Sequence, residues 1–102
     1  LGGSVIISAV LQTILNIVDF GMSPMEAVSV PRIHSEGDFV HLEARVESSQ
    51  IAVLESFGHK IKKSPYSFDP MMARCHVILK DKKTWKAGAD PRSGGGVAFA
   101  RV

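Results

Sequence analysis

Cysteine is nearly absent from this chain. The single one, Cys75, excludes an internal disulfide and leaves the redox compartment open. It lies in the apolar run Cys75-His76-Val77-Ile78-Leu79, where it reads as a buried small hydrophobe; a reactive thiol needs an electropositive, partly exposed setting. A surplus of one charge is also missing. Lys and Arg number 12 against 10 Asp and Glu, a net charge of +2, so no electrostatic footprint for nucleic acid or anionic lipid is present. The lysines that bunch at Lys60, Lys62 and Lys63, and again at Lys80, Lys82, Lys83 and Lys86, read as solvated strand ends and turns. No run suits a bilayer: the most hydrophobic stretch, residues 5–20, is short and carries Ser8, Gln12, Thr13, Asn16 and Asp19. The 4 histidines show no His-x-His or His-x-x-x-His spacing and have no second cysteine to join them, so neither a metal site nor a cofactor is expected. No signal peptide is visible, which says nothing about location.

What remains is ordinary globular material. The 102 residues are 45% hydrophobic and 22% charged, enough for one soluble unit with a modest core. Gly2-Gly3-Ser4 opens a helix over residues 5–20, with Ser4 expected as N-cap and Gly21 as the left-handed residue that ends it. Ser8, Gln12, Asn16 and Asp19 recur at helical spacing and predict one narrow wet stripe on an otherwise apolar, largely buried helix. Ser23-Pro24-Met25-Glu26 is a capping box with proline at the first helical position, and that helix must stop before Pro31. Alternation over residues 39–44 predicts a strand. Ser48 or Ser49 should cap a third helix that presents Ile51, Leu54 and Phe57 on one face and closes at Gly58. A short strand over residues 59–62 follows. Residues 73–80, 84–89 and 97–101 read as a β-meander, with a turn at Asp81-Lys82-Lys83 and another at Gly94-Gly95-Gly96. The expected class is α+β, with helices packed on a mainly antiparallel sheet whose edge must be covered or paired.

Chemistry concentrates at the first helix. Gly2 and Gly3 offer successive backbone N–H groups at a helix mouth, a corner suited to a carboxylate, a phosphate or a developing oxyanion. Elsewhere the residues read as structural. The loop from Asp90 to Gly96 lacks the Lys-Ser/Thr end and the following helix of a phosphate cradle. Asp90 and Arg92 read as a turn-fixing ion pair, Arg32 and His34 as packing or hydrogen-bonding groups beside Pro31, and Trp85 as core or sheet-surface packing.

An ordered set of landmarks resembles the γ-glutamyltransferase (γ-glutamyltranspeptidase) family. They are Gly2-Gly3-Ser4-Val5-Ile6-Ile7, Leu11-Gln12, Ile14-Leu15-Asn16, Asp19-Phe20-Gly21-Met22, Glu26-Ala27, Pro31-Arg32-Ile33-His34, Leu54-Glu55-Ser56-Phe57-Gly58-His59-Lys60 and Ala89-Asp90-Pro91-Arg92. The resemblance implies a single unit over residues 1–102, the C-terminal part of a small subunit, and a portion of the αββα sandwich of N-terminal-nucleophile hydrolases. It implies cleavage of γ-glutamyl amides such as glutathione, with transfer of the acyl group to water or to an amino acid or peptide. Gly2 and Gly3 match the glycines whose amides hold the oxyanion. The nucleophilic threonine and the serines that hold the γ-glutamyl group lie upstream in that family, and here Thr13 and Thr84 are the only threonines. The implied partners are a γ-glutamyl substrate, the upstream small-subunit segment and the large subunit; a severed half of a sheet would also expose apolar surface and self-associate. Relatives of this kind are often periplasmic, secreted or at the cell surface. The chain departs from the family at Leu1, where proline is usual, and at Asp81-Lys82-Lys83, where Asp-Gly is common. Two other readings are a related acylase or γ-glutamyl hydrolase, and a non-catalytic interaction domain that keeps the fold.

Overall fold

The computed structural model describes residues 4–93 and residue 96. Its first helix, α1 (Ser4–Val18), already includes Ser4. The expected N-cap is thus a helical residue, and its hydroxyl donates to Glu36 Oε1 instead of capping. The stop is as expected: Gly21 sits at φ 64, and the Met22 N–H closes onto the Asn16 carbonyl at 3.0 Å. Helix α2 (Pro24–Ser29) carries the full capping box. Ser23 Oγ accepts from the Glu26 N–H, Glu26 Oε1 accepts from the Ser23 N–H, and Val30 turns extended before Pro31.

Strands β1 (Ile33–Ser35) and β2 (Phe39–Leu42) pair antiparallel, with His34 opposite His41. Helix α3 (Ser48–Ser56) then leads to β3 (Lys60–Lys63), which pairs with β2 in parallel. A parallel neighbour needs a crossover, and α3 supplies it. The N-cap of α3 is Glu47, with Gln50 Oε1 accepting from the Glu47 N–H, rather than Ser48 or Ser49. Phe57 leaves the expected apolar face and is exposed, because at φ −85, ψ 3 it lies past the last helical turn. Gly58, at φ 90, closes the helix as expected.

A 3₁₀ turn (Pro70–Met72) precedes a second sheet, β4 (Val77–Asp81) paired antiparallel with β5 (Thr84–Gly88). The expected strand start at residues 73–76 is not strand: Ala73 at φ 64, ψ −172 breaks the extended run. The expected final strand, 97–101, lies outside the described residues. The class is α+β, with two antiparallel pairings and one parallel.

Two small cores result. Ala9, Val28, Ala73 and Cys75, with Val5 and Val77 against them, lock α1 and α2 onto the approach to β4. Val40, Leu42 and Val46, with Ile51, Leu54 and Ile61, lock α3 onto the three-stranded sheet. Gly88 is required where α2 meets β5: a Cβ there would stand 2.6 Å from the Pro24 carbonyl carbon and oxygen.

Candidate functional site

Gly2 and Gly3 lie outside the described residues; the description begins one residue later, on the helix they introduce. What holds that helix to the β1 segment is polar. Ser4, Ser8 and Gln12 are four apart and share one face of α1. Ser4 Oγ donates to Glu36 Oε1. Ser8 Oγ and His34 Nδ1 are 2.7 Å apart. Gln12 grips the backbone of Ile33 with both ends of its amide: Nε2 donates to the carbonyl at 2.7 Å, and Oε1 accepts from the N–H at 3.0 Å. Those groups of Ile33 point away from β2, so Gln12 satisfies the open edge of β1. One turn on, Asn16 Nδ2 donates to the Ala27 carbonyl at 3.1 Å.

The stripe predicted to be wet is therefore the seam by which α1 attaches. The apolar side faces out, with Ile7 70% and Val18 73% exposed and only Ala9 and Thr13 buried. A largely buried α1 is corrected among the described residues: Ala9 and Val5 meet the first core, and the β1 segment and the Ala27 carbonyl offer it hydrogen-bonding groups instead of more apolar surface.

His34 is buried, and its Nε2 stands 3.4 Å from Glu36 Oε1 without a hydrogen bond. The Glu36 carboxyl is held below its ordinary range, first by the Ser4 hydroxyl and then by His34. Beside them is a cavity of about 270 Å³ lined by Val5, His34, Glu36, His41, Asp69, Met71 and Met72.

A second constellation is fully internal. Arg92 forks onto Glu43, with Nε 2.7 Å from Oε2 and Nη2 2.5 Å from Oε1. Its Nη1 meets Asp90 Oδ1 at 3.0 Å and donates to the Val28 carbonyl at 2.6 Å. Arg32 Nη1 lies 2.7 Å from Asp90 Oδ2, and the Arg32 N–H donates to Glu43 Oε1 at 2.8 Å. Asp90 also accepts from the backbone N–H of Cys75 and of Arg92. Burial alone would raise the Asp90 carboxyl, but those N–H groups and the Arg32 charge bring it below the ordinary aspartate value. Burial likewise works against the Arg92 cation, and the Glu43 carboxylate outweighs it, so its pKa is raised. The expected Asp90–Arg92 pair is present, and Arg32 and His34 have the hydrogen-bonding roles assigned to them. The sequence reading missed Glu43, which parity on β2 would place outward; the strand ends at Leu42 and the chain turns, bringing the carboxylate in. A repeated signal was available: both arginines follow a proline, at Pro31-Arg32 and Pro91-Arg92.

None of this is a nucleophile with its base. Thr13 is buried and its hydroxyl donates to the Ala9 carbonyl at 2.8 Å. Thr84 opens β5 at the hairpin turn, and Cys75 is buried in the first core. No group of three metal-ligating side chains is assembled among the described residues, and no described helix is long and apolar enough to cross a membrane. What the described residues form is a mount for α1, built from the contacts of Ser4, Ser8 and Gln12.

Comparison with known proteins supplies the context for that mount. The family described as gamma-glutamyltranspeptidase matches residues 1–100. An Acylase ACY 1 proenzyme of Pseudomonas sp. (strain V22) is 34% identical over 99 residues, covering 93% of this chain and 18% of the relative. A glutathione hydrolase proenzyme of Bacillus subtilis (strain 168) is 34% identical over 95 residues, covering 92% of this chain and 16% of the relative. The chain thus spans less than a fifth of the length of these curated relatives. A solved γ-glutamyltranspeptidase from Pseudomonas nitroreducens superposes with a TM-score of 0.82 at 22% identity, covering 99% of this chain and 53% of that one. At that identity the likeness shows a shared α+β fold.

Proposed function

The chain belongs to the γ-glutamyltranspeptidase family, and from that premise we propose that residues 1–102 are a single unit, the C-terminal part of the small subunit of an enzyme that cleaves γ-glutamyl amides. In this reading Gly2 and Gly3 supply backbone N–H groups to the tetrahedral oxyanion. The upstream part of the small subunit brings the nucleophilic threonine, whose α-amino group serves as its base. The acyl group then passes to water or to an amino acid or peptide. The observation that supports the reading is the family match from residue 1 to residue 100, a span that includes Gly2 and Gly3. Preorganised donors at a helix mouth stabilise charge that develops in the transition state, and loss of one costs on the order of a hundredfold in rate.

The partners are a glutathione-like γ-glutamyl substrate and the remainder of the enzyme, the upstream small-subunit segment and the large subunit. The exposed apolar side of α1 supports that partnership, since a contiguous apolar face marks a docking surface. Without the remainder, the same face would drive self-association. The acylase relative, matched over 93% of this chain, favours a second reading in which the complete protein is an acylase.

Turnover of a γ-glutamyl anilide decides between these. The 102-residue chain alone should be inactive, and it should turn over when joined to its upstream segment and large subunit. Hydrolysis by the isolated chain would contradict the reading. Preference of the complete protein for an acyl anilide without the γ-glutamyl α-amino and α-carboxyl groups would move it to the acylases.

A further inference from the structure

We propose that His34 of β1 and Glu36, one residue past its end, are positioning residues for the oxyanion turn, acting through Ser8 and Ser4 on the first two turns of α1. This rests on the function proposed above and adds to it a set of residues that touch no substrate. An oxyanion donor must be aimed at a point in space, so the helix that follows Gly2-Gly3 in the chain needs a fixed axial position as well as a fixed side. Apolar contact through Ala9 and Val5 cannot give this, because burial is non-directional. The seam can. Ser4 meets Glu36, Ser8 meets His34 and Gln12 meets Ile33, three tethers at four-residue intervals on one short segment of chain. A helix rises about 1.5 Å per residue, so a slide of even one residue breaks all three at once.

The two tethers nearest the turn come from side chains with no other hydrogen-bonding task in the described fold. His34 makes its one hydrogen bond to Ser8, and its Nε2 has no hydrogen-bond partner. Glu36 is exposed at the end of the segment, and Ser4 donates to it. Gln12, the third tether, serves the sheet edge as well. The buried Arg92–Glu43 network, by contrast, holds the body of the fold and has no bond to α1.

The test uses the complete enzyme that carries this segment, with kcat, KM for a γ-glutamyl anilide and the unfolding midpoint measured together. Misplacing a catalytic group by about 1 Å costs on the order of a hundredfold, so His34→Ala should lower kcat about ten- to a hundredfold while KM stays within about twofold. His34→Asn, which keeps a polar atom at the Nδ1 position, should restore most of kcat. Ser8→Ala should match His34→Ala, with the double variant no worse than either, since both cut one path. If His34→Ala fails to fold, Ser8→Ala is read in its place, as it leaves the imidazole buried. An active parent whose Ser8→Ala and His34→Asn variants both keep kcat and KM unchanged, with His34→Ala equally indifferent, sinks the positioning role alone. A fall in kcat that only tracks a fall in the unfolding midpoint, without rescue by asparagine, also overturns it. A complete parent with no γ-glutamyl turnover sinks the functional reading and this inference with it.

Discussion

Two regions of this chain invert the usual arrangement in opposite ways. Around Glu43, four charged side chains lie inside: Arg32, Glu43, Asp90 and Arg92 are each at most 5% exposed. Along α1, hydrocarbon lies outside, with Ile7, Val18, Leu11 and Ile14 all at least half exposed. The charged interior is nearly complete in itself: every carboxylate oxygen of Glu43 and Asp90 meets guanidinium or backbone N–H groups, and Arg32 Nη2 is the one buried charged-group atom of the four left without a hydrogen-bond partner among the described residues. The apolar exterior is not complete. Its polar stripe is consumed by the β1 segment and α2, and much of its apolar side stays exposed among the described residues. A buried ionic network is costly to desolvate and adds little net stability over a well-packed apolar core, but it fixes geometry through many directional bonds. An exposed helix face does the reverse: it adds nothing to the fold by itself and gains free energy only on docking.

Substitutions can pull the two regions apart. The largest effect belongs inside. Arg92→Met leaves Glu43 and Asp90 buried with a missing partner and should cost about 3–5 kcal/mol, read by chemical denaturation at Trp85, the single tryptophan. Adding Glu43→Gln should recover part of that loss, since the stranded charge goes with it. Gly88→Ala comes next. It forces a methyl group into the Pro24 carbonyl at 2.6 Å, prises α2 from β5 and should cost about 1–3 kcal/mol. The smallest effect is at the turn of the β4–β5 hairpin. Lys82 holds φ 54, a conformation glycine adopts without strain, so Lys82→Gly should be neutral or should stabilise by less than about 1 kcal/mol. A cost there comparable to Arg92→Met would mean that the hairpin, not the charged interior, anchors the fold.

The sequence was most legible where chemistry is local. The Ser23 capping box, the left-handed Gly21 and Gly58, the Asp90–Arg92 pair and the strands around residues 39–42, 77–81 and 84–88 all depend on neighbours a few residues away. It was least legible where partners are distant. Nothing local says that β3 will return parallel to β2, or that Arg92 will reach Glu43 across 49 positions. The stripe of Ser8, Gln12 and Asn16 shows the limit most clearly. Its periodicity was read correctly, but a polar stripe faces water or a polar neighbour with the same spacing, and only β1 and α2 decide which. The candidate site divides the same way: Gly2-Gly3 is an expectation from the landmarks and lies outside the described residues, and the seam along α1 is visible only from the fold.

Whether the exposed face of α1 is a docking surface can be measured on the isolated chain by apolar-dye binding and light scattering, with and without Ile7→Lys and Val18→Lys. The account predicts that the parent chain binds dye or self-associates, and that the double lysine variant loses both while its unfolding midpoint at Trp85 is unchanged. A monomeric parent chain that binds no dye would contradict it.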